Sequence, residues 1–101
     1  MNEAEFAARA EETINIIAEA IEEHDPEGNI DLDLNDSILT LATEDGTFVI
    51  NKQSAAMEIW LSSPISGPYH FAPKDDGWYS RTNAELFEVL STELQMKISN
   101  D

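Results

Sequence analysis

The sequence predicts an α+β chain in two layers: an N-terminal and a C-terminal helix packed on one face of a single antiparallel sheet of about six strands. Three observations predict it. Apolar residues recur at helical spacing at both ends of the chain. Between the ends they alternate with polar residues at period two, as in strands with one wet face. Pro and Gly punctuate that middle stretch at short intervals, which reads as an antiparallel meander. Both helices are amphipathic and need a surface to cover, and one shared sheet face is the economical solution.

The first helix is expected over 3–23. Asn2 can cap it, and Glu5 three residues later completes a capping-box pattern. Phe6, Ala10, Ile14, Ile17 and Ile21 form its apolar stripe, with Glu12, Glu19 and Glu23 on the opposite face and Glu11 and Glu22 on one flank. Pro26 and Gly28 stop it. Ile30, Leu32 and Leu34 then alternate with Asp31 and Asp33 as a first strand, and Asn35-Asp36 marks a turn. Leu39 and Leu41 lie on a second strand, Glu44-Asp45-Gly46 is a second turn, and 47–51 is a third strand. Further strands are expected at 57–62, 67–72 and 78–80, with Trp78, Tyr79, Tyr69 and Phe71 mostly in the core. Thr82 and Glu85 repeat the capping-box pattern before a last helix whose stripe is Leu86, Leu90 and Leu94 with Phe87 and Val89.

At 101 residues the chain is read as one domain, 1–101. It has no Cys, which excludes disulfides, thiolate metal sites and a Cys nucleophile. It has no apolar run long enough for a membrane span. Its acidic start, Met1 to Glu5, differs from basic secretory and transit signals, so the expected location is the bacterial cytoplasm. A trimmed form from the mitochondrial matrix is the alternative. The formal net charge of -16 argues against nucleic acid and anionic membranes as partners. Cations and basic protein surfaces are the natural ones. The charge is also uneven. Residues 1–36 hold 12 acids and one Arg, net -11, while 37–101 hold nine acids and four bases, net -5.

A more specific signal lies between Val49 and Phe71. The run contains Asn51-Lys52-Gln53, then Ile59-Trp60-Leu61-Ser62-Ser63-Pro64, then Ser66-Gly67-Pro68. It resembles the frataxin family, whose bacterial members are called CyaY. The acidic first helix and strand, the Asp-Gly hairpin, Trp78 and the Leu-rich last helix extend the resemblance over nearly the whole chain. It implies the two-layer fold described above. It also implies an iron-binding protein of iron–sulfur cluster assembly, acting as iron donor or as regulator of the cysteine desulfurase and scaffold complex. Ferrous and ferric iron would bind weakly at an acidic surface ridge. The protein would be a monomer or an iron-induced oligomer, and not an enzyme beyond weak ferroxidase activity, with surface ferroxidase action and iron storage as an alternative role.

The resemblance places the ridge at Glu19, Glu22, Glu23, Asp25, Glu27, Asp31 and Asp33, with Glu11 and Glu12 as outlying members. Relatives carry acids where this chain has Ala18 and Asn29. The chemistry is sound on its own terms, because carboxylates suit hard, oxygen-seeking cations. Glu19 and Glu23 stand one helical turn apart, with Cβ atoms about 5–6 Å from each other. Asp31 and Asp33 share one strand face at about 6.6–6.8 Å. An EF-hand is excluded, since Asp36 and Ala42 occupy that loop's Gly and terminal Glu positions. For partners, the resemblance points to Asn51, Gln53, Trp60 and His70 on the exposed sheet face. The rival reading is an acidic adaptor that binds a basic protein surface without metal. Glycine-rich phosphate loops, HExxH and nucleophile motifs are missing, so the enzyme class is the weakest of the three.

Overall fold

The computed structural model describes residues 1–99. Helix α1 spans Glu3–His24 and helix α2 Leu86–Leu94. Between them lie β1 (Asp31–Asn35), β2 (Ile38–Thr43), β3 (Gly46–Gln53), β4 (Glu58–Ser63), β5 (Gly67–Lys74) and β6 (Gly77–Tyr79). The six strands form one antiparallel sheet in chain order, as the meander pattern implies.

The inner sheet face carries Leu39, Leu41, Phe48, Ile50, Ile59, Leu61, Phe71 and Trp78, all buried. The expected stripe of α1 meets them: Phe6, Ala10, Ile14, Ile17 and Ile21 are each at most 1% exposed. Leu86 and Leu90 complete the core from α2. One buried bond fastens α1 to the far edge of the sheet. Trp78 Nε1 donates to Thr13 Oγ1 at 2.9 Å, and Arg9 lies over the same indole while donating to the Asp75 and Gly77 carbonyls.

Capping chemistry places the helix starts. Asn2 Oδ1 accepts the Glu5 N–H at 2.8 Å, satisfying one of the donors that a helix start leaves open. The second start differs from the expectation. Glu85, not Thr82, caps α2, its carboxylate accepting from Phe87 N and Glu88 N. Thr82 instead bonds Ser80 Oγ within a turn where Asn83 takes a φ of 67°. A left-handed residue cannot continue a right-handed helix. A bridge between Tyr79 and Glu85 also holds the chain to the sheet up to that point.

Three smaller expectations are corrected. The first hairpin turns at Asp36 and Ser37, both at positive φ, and not at Asn35-Asp36. Leu34 is 39% exposed, because β1 is an edge strand with only one neighbour. Tyr79 pairs with Ala72 on the outer face, under the Lys74 ammonium, and so leaves the core to Trp78. The last turn of α2 brings an unexpected core member. Gln95 reverses the chain in the left-handed region, and Ile98 folds back to 3% exposure, its N–H bonded to Ser91 Oγ.

The serine- and proline-rich link between β4 and β5 has a structural duty. Ser63 Oγ accepts the N–H groups of Ile65 and Ser66, while Ser63 and Ser66 both donate to the Glu93 carboxylate on α2. Pro64 packs on the opposite hairpin so closely that a Cβ at Gly46 would stand 2.7 Å from its own. Gly46, at φ 123°, is therefore fixed by conformation and by space together.

Candidate functional site

The expected ridge acids are spread over α1, the link that follows it and β1. Glu19 and Glu23 line a shallow depression beside α1, shared with His24 and with Lys97 of the C-terminal segment. His24 donates from Nδ1 to the Ala20 carbonyl when that nitrogen carries the proton. Glu22 and Glu11 fall on the other flank of the helix, by its 3.6-residue period. Glu11 is already engaged: Lys52 Nζ lies 3.5 Å from Oε2, and Ser37 Oγ bonds Oε1 at 3.3 Å. Glu12 belongs to a separate depression with Arg9, Asp75 and Asp76.

Asp25 has a local task that the sequence did not reveal. Its two carboxylate oxygens accept the N–H groups of Asn29 and Ile30 at 2.9 and 2.8 Å, and its carbonyl accepts from Gly28. These bonds form the tight link between α1 and β1. Glu27 projects from that link into solvent. Asp31 and Asp33 are exposed on β1, where register pairs them with Ala42 and Thr40. The alternate residue Leu32 pairs with buried Leu41, so both Asp side chains share the sheet face opposite the helices. The acids thus wrap around the open edge of the sheet, with helix members on one side and strand members on the other. Among the described residues, no three His, Cys, Asp or Glu side chains gather into a metal-holding group. Ala18 is 4% exposed, so this position belongs to the core margin and not to the acidic surface.

The aromatic site is more tightly organised. Register aligns Asn35, Ile38, Asn51, Trp60 and His70 in one row across five strands of the outer face. Ile59 and Leu61 point to the core, so Trp60 has the wet side. Its indole stacks on His70 with ring centres 4.2 Å apart and planes 10° from parallel. Trp60 Nε1 donates to Glu58 Oε1 at 2.9 Å, and His70 Nδ1 approaches the same oxygen at 3.9 Å. Gln53 sits beside this group, opposite Glu58. Ile38 is 44% exposed in the same row, an apolar member that the motif did not disclose. Lys52, although inside the motif, turns to the helix side and pairs with Glu11.

Fold and surface define a small two-layer α-β protein with an acidic helix-and-edge surface and an aromatic patch on its open sheet face. The frataxin-like domain model matches residues 1–100, and the chain belongs to the frataxin family. It is 37% identical to the iron-sulfur cluster assembly protein CyaY of Thioalkalivibrio sulfidiphilus, across 93% of this chain and 91% of that protein. It is 40% identical to the mitochondrial frataxin of Arabidopsis thaliana across 94% of this chain, spanning about half (54%) of that longer protein. The frataxin of Psychromonas ingrahamii superposes with a TM-score of 0.83 at 28% identity, covering 98% of this chain and 97% of the other. Trimeric yeast frataxin complexed with ferrous iron gives a TM-score of 0.80 at 33% identity, over 86% of this chain and 82% of that one. These structures share the arrangement of two helices on a six-stranded antiparallel sheet. No described helix is long and apolar enough to cross a membrane.

Proposed function

We propose that this chain acts, as a single domain of the bacterial cytoplasm, in iron–sulfur cluster assembly. It carries iron as cargo on its acidic edge and docks through its aromatic sheet face. The observation that carries this reading is its likeness, over 91% of the relative's length, to a protein named for cluster assembly. The ferrous complex of the yeast relative supports iron as the cargo.

In this reading Glu19, Glu22, Glu23, Glu27, Asp31 and Asp33 supply carboxylate oxygens, and water completes the coordination of ferrous or ferric iron. Asp25 contributes mainly by shaping the link, since both its oxygens accept backbone bonds. Exposed ligands without a cage give weak, exchangeable binding, which suits delivery better than catalysis. A cation would also relieve repulsion among the acids and so stabilise the folded chain. Asn51, Gln53, Trp60 and His70 form the docking face for the desulfurase and scaffold proteins. The stack and the Glu58 bond hold the indole in one orientation before any partner arrives, which lowers the ordering penalty of binding.

The test is an anaerobic ferrous titration of the isotope-labelled chain, followed by backbone NMR. Broadening confined to Glu19–Asp33, with Asn51 to Trp60 unaffected, is the expected result. Uniform loss of signal, or no change at millimolar iron, would remove the metal from the reading and leave the metal-independent adaptor.

A further inference from the structure

Five Lys and Arg residues are present in a chain of net charge -16. Two of them are engaged inside the fold: Arg9 with the Asp75 and Gly77 carbonyls and Trp78, and Lys52 with Glu11. Lys97 sits beside the acids of α1. The remaining two, Lys74 and Arg81, come together on the outer sheet face. They line one cleft of about 390 Å³ with His70, Tyr79, Asn83 and Glu58. The cleft exists because β6 ends at Tyr79 and the chain turns sharply there, which sets the 80–83 segment beside β5. That turn is pinned by the Asn83 N–H to Ser80 carbonyl bond and by the Ala84 N–H to Ser80 Oγ bond, with Asn83 at φ 67°.

Among the described residues, neither Lys74 nor Arg81 forms an ion pair. The one acid lining the cleft is Glu58, and its Oε1 is already taken by Trp60 Nε1. Lys74 Nζ is positioned over the Tyr79 ring at 5.4 Å. The wall therefore offers an ammonium, a guanidinium fork and a side-chain amide, with few internal acceptors to satisfy them. That donor set matches a carboxylate, which a guanidinium can grip at both oxygens. A long nucleic-acid backbone fits poorly, because most of its charges would meet the field of the whole acidic chain, whereas the carboxylates of a short acidic segment stay close to the local cations, within a Debye length (~8 Å) for the one that is gripped.

We propose that the cleft between β5, β6 and the 80–83 turn binds a carboxylate of an acidic segment on a partner protein. It adjoins the Trp60–His70 stack, since His70 lines the cleft and stacks on Trp60 at once. A partner seated on the indole thereby reaches both. The inference extends the docking face beyond the residues of the motif, and it does not depend on iron at the acidic edge.

The experiment titrates the labelled full chain at low ionic strength with a blocked tetraglutamate peptide, a blocked tetraglutamine peptide and inorganic phosphate, following backbone and side-chain amide NMR signals. Tetraglutamate is expected to shift Lys74, Tyr79, Arg81 and the Asn83 amide, and tetraglutamine is not. The double variant Lys74→Gln/Arg81→Gln is expected to weaken the peptide roughly tenfold, with an unchanged melting temperature as the folding control. Lys74→Glu/Arg81→Glu should weaken it further. Absence of shifts, or equal shifts in the double variants, would overturn the proposal. So would a response to phosphate but not to the peptide. If the same signals move with protein concentration alone, the occupant is a second copy of this chain, and the partner reading fails.

Discussion

The acidic edge and the aromatic face are built on opposite terms. At the edge, like charges are strung along a helix, a link and an edge strand, and most of their carboxylates face only water. On the face, the Trp60 indole is bonded to Glu58 and stacked on His70. A surface of the first kind pays in self-repulsion and gains a site for whatever cation arrives. A surface of the second kind is set in shape beforehand and selects a partner by fit. The difference teaches that one small sheet can hold a loose, exchangeable binding surface and a fixed one, provided the charges lie at its rim.

The largest expected effect lies on the face. Trp60→Ala should weaken binding to a purified desulfurase–scaffold complex by about 2–4 kcal/mol, as for a central aromatic anchor. The same variant should leave the ferrous-iron affinity unchanged, as isothermal titration can check. A loss of iron binding in Trp60→Ala would break the comparison. Next comes the join of α1 to the sheet, on which the position of the helix acids depends. Thr13→Val strands the buried indole N–H of Trp78 and should cost about 1–3 kcal/mol in urea unfolding. A smaller effect, of the opposite sign, is expected at the first hairpin. Ser37 holds a φ of 64° beside Asp36 at 52°. Ser37→Gly should stabilise the chain by about 0.5–1 kcal/mol, because relief of the left-handed strain outweighs loss of the long, exposed bond to Glu11, and should leave iron binding unaltered. The smallest effect is at the edge itself. Glu23→Gln removes a like charge one turn from Glu19 and should raise the metal-free melting temperature by about 1–3 °C. A fall in melting temperature would show that the acids are not repelling one another.

How far these features were legible depended on how local their causes are. Period-two burial of Leu39 and Leu41 could be read directly, because a strand sends alternate side chains to opposite faces. The α1 stripe and its Asn2 cap were equally local. The cap of α2 was not, because Thr82-to-Glu85 and Glu85-to-Glu88 both have capping geometry in sequence. The left-handed Asn83 and the bridge from Tyr79 to Glu85 choose between them. Ile98 is an isolated apolar residue whose burial requires the chain reversal at Gln95. In the candidate site, the acidic residues and Trp60 followed from the resemblance. Three relationships did not. They are the double backbone capping by Asp25, the withdrawal of Glu11 into a pair with Lys52, and the meeting of Lys74 with Arg81. The Glu11–Lys52 pair joins residues far apart in sequence, and the other two depend on the backbone course of the 25–30 link and of the 80–83 turn.

The central claim is that cation and partner surfaces act independently, and a double-mutant cycle on ferrous-iron affinity tests it most directly. The four proteins are the wild type, the edge variant Glu19→Gln/Glu23→Gln/Asp31→Asn/Asp33→Asn, Trp60→Ala, and the two combined. The account predicts a large loss for the edge variant, none for Trp60→Ala, and a combined effect additive within about 0.5 kcal/mol. A coupling energy above about 1 kcal/mol would contradict it, showing that the two surfaces work as one site.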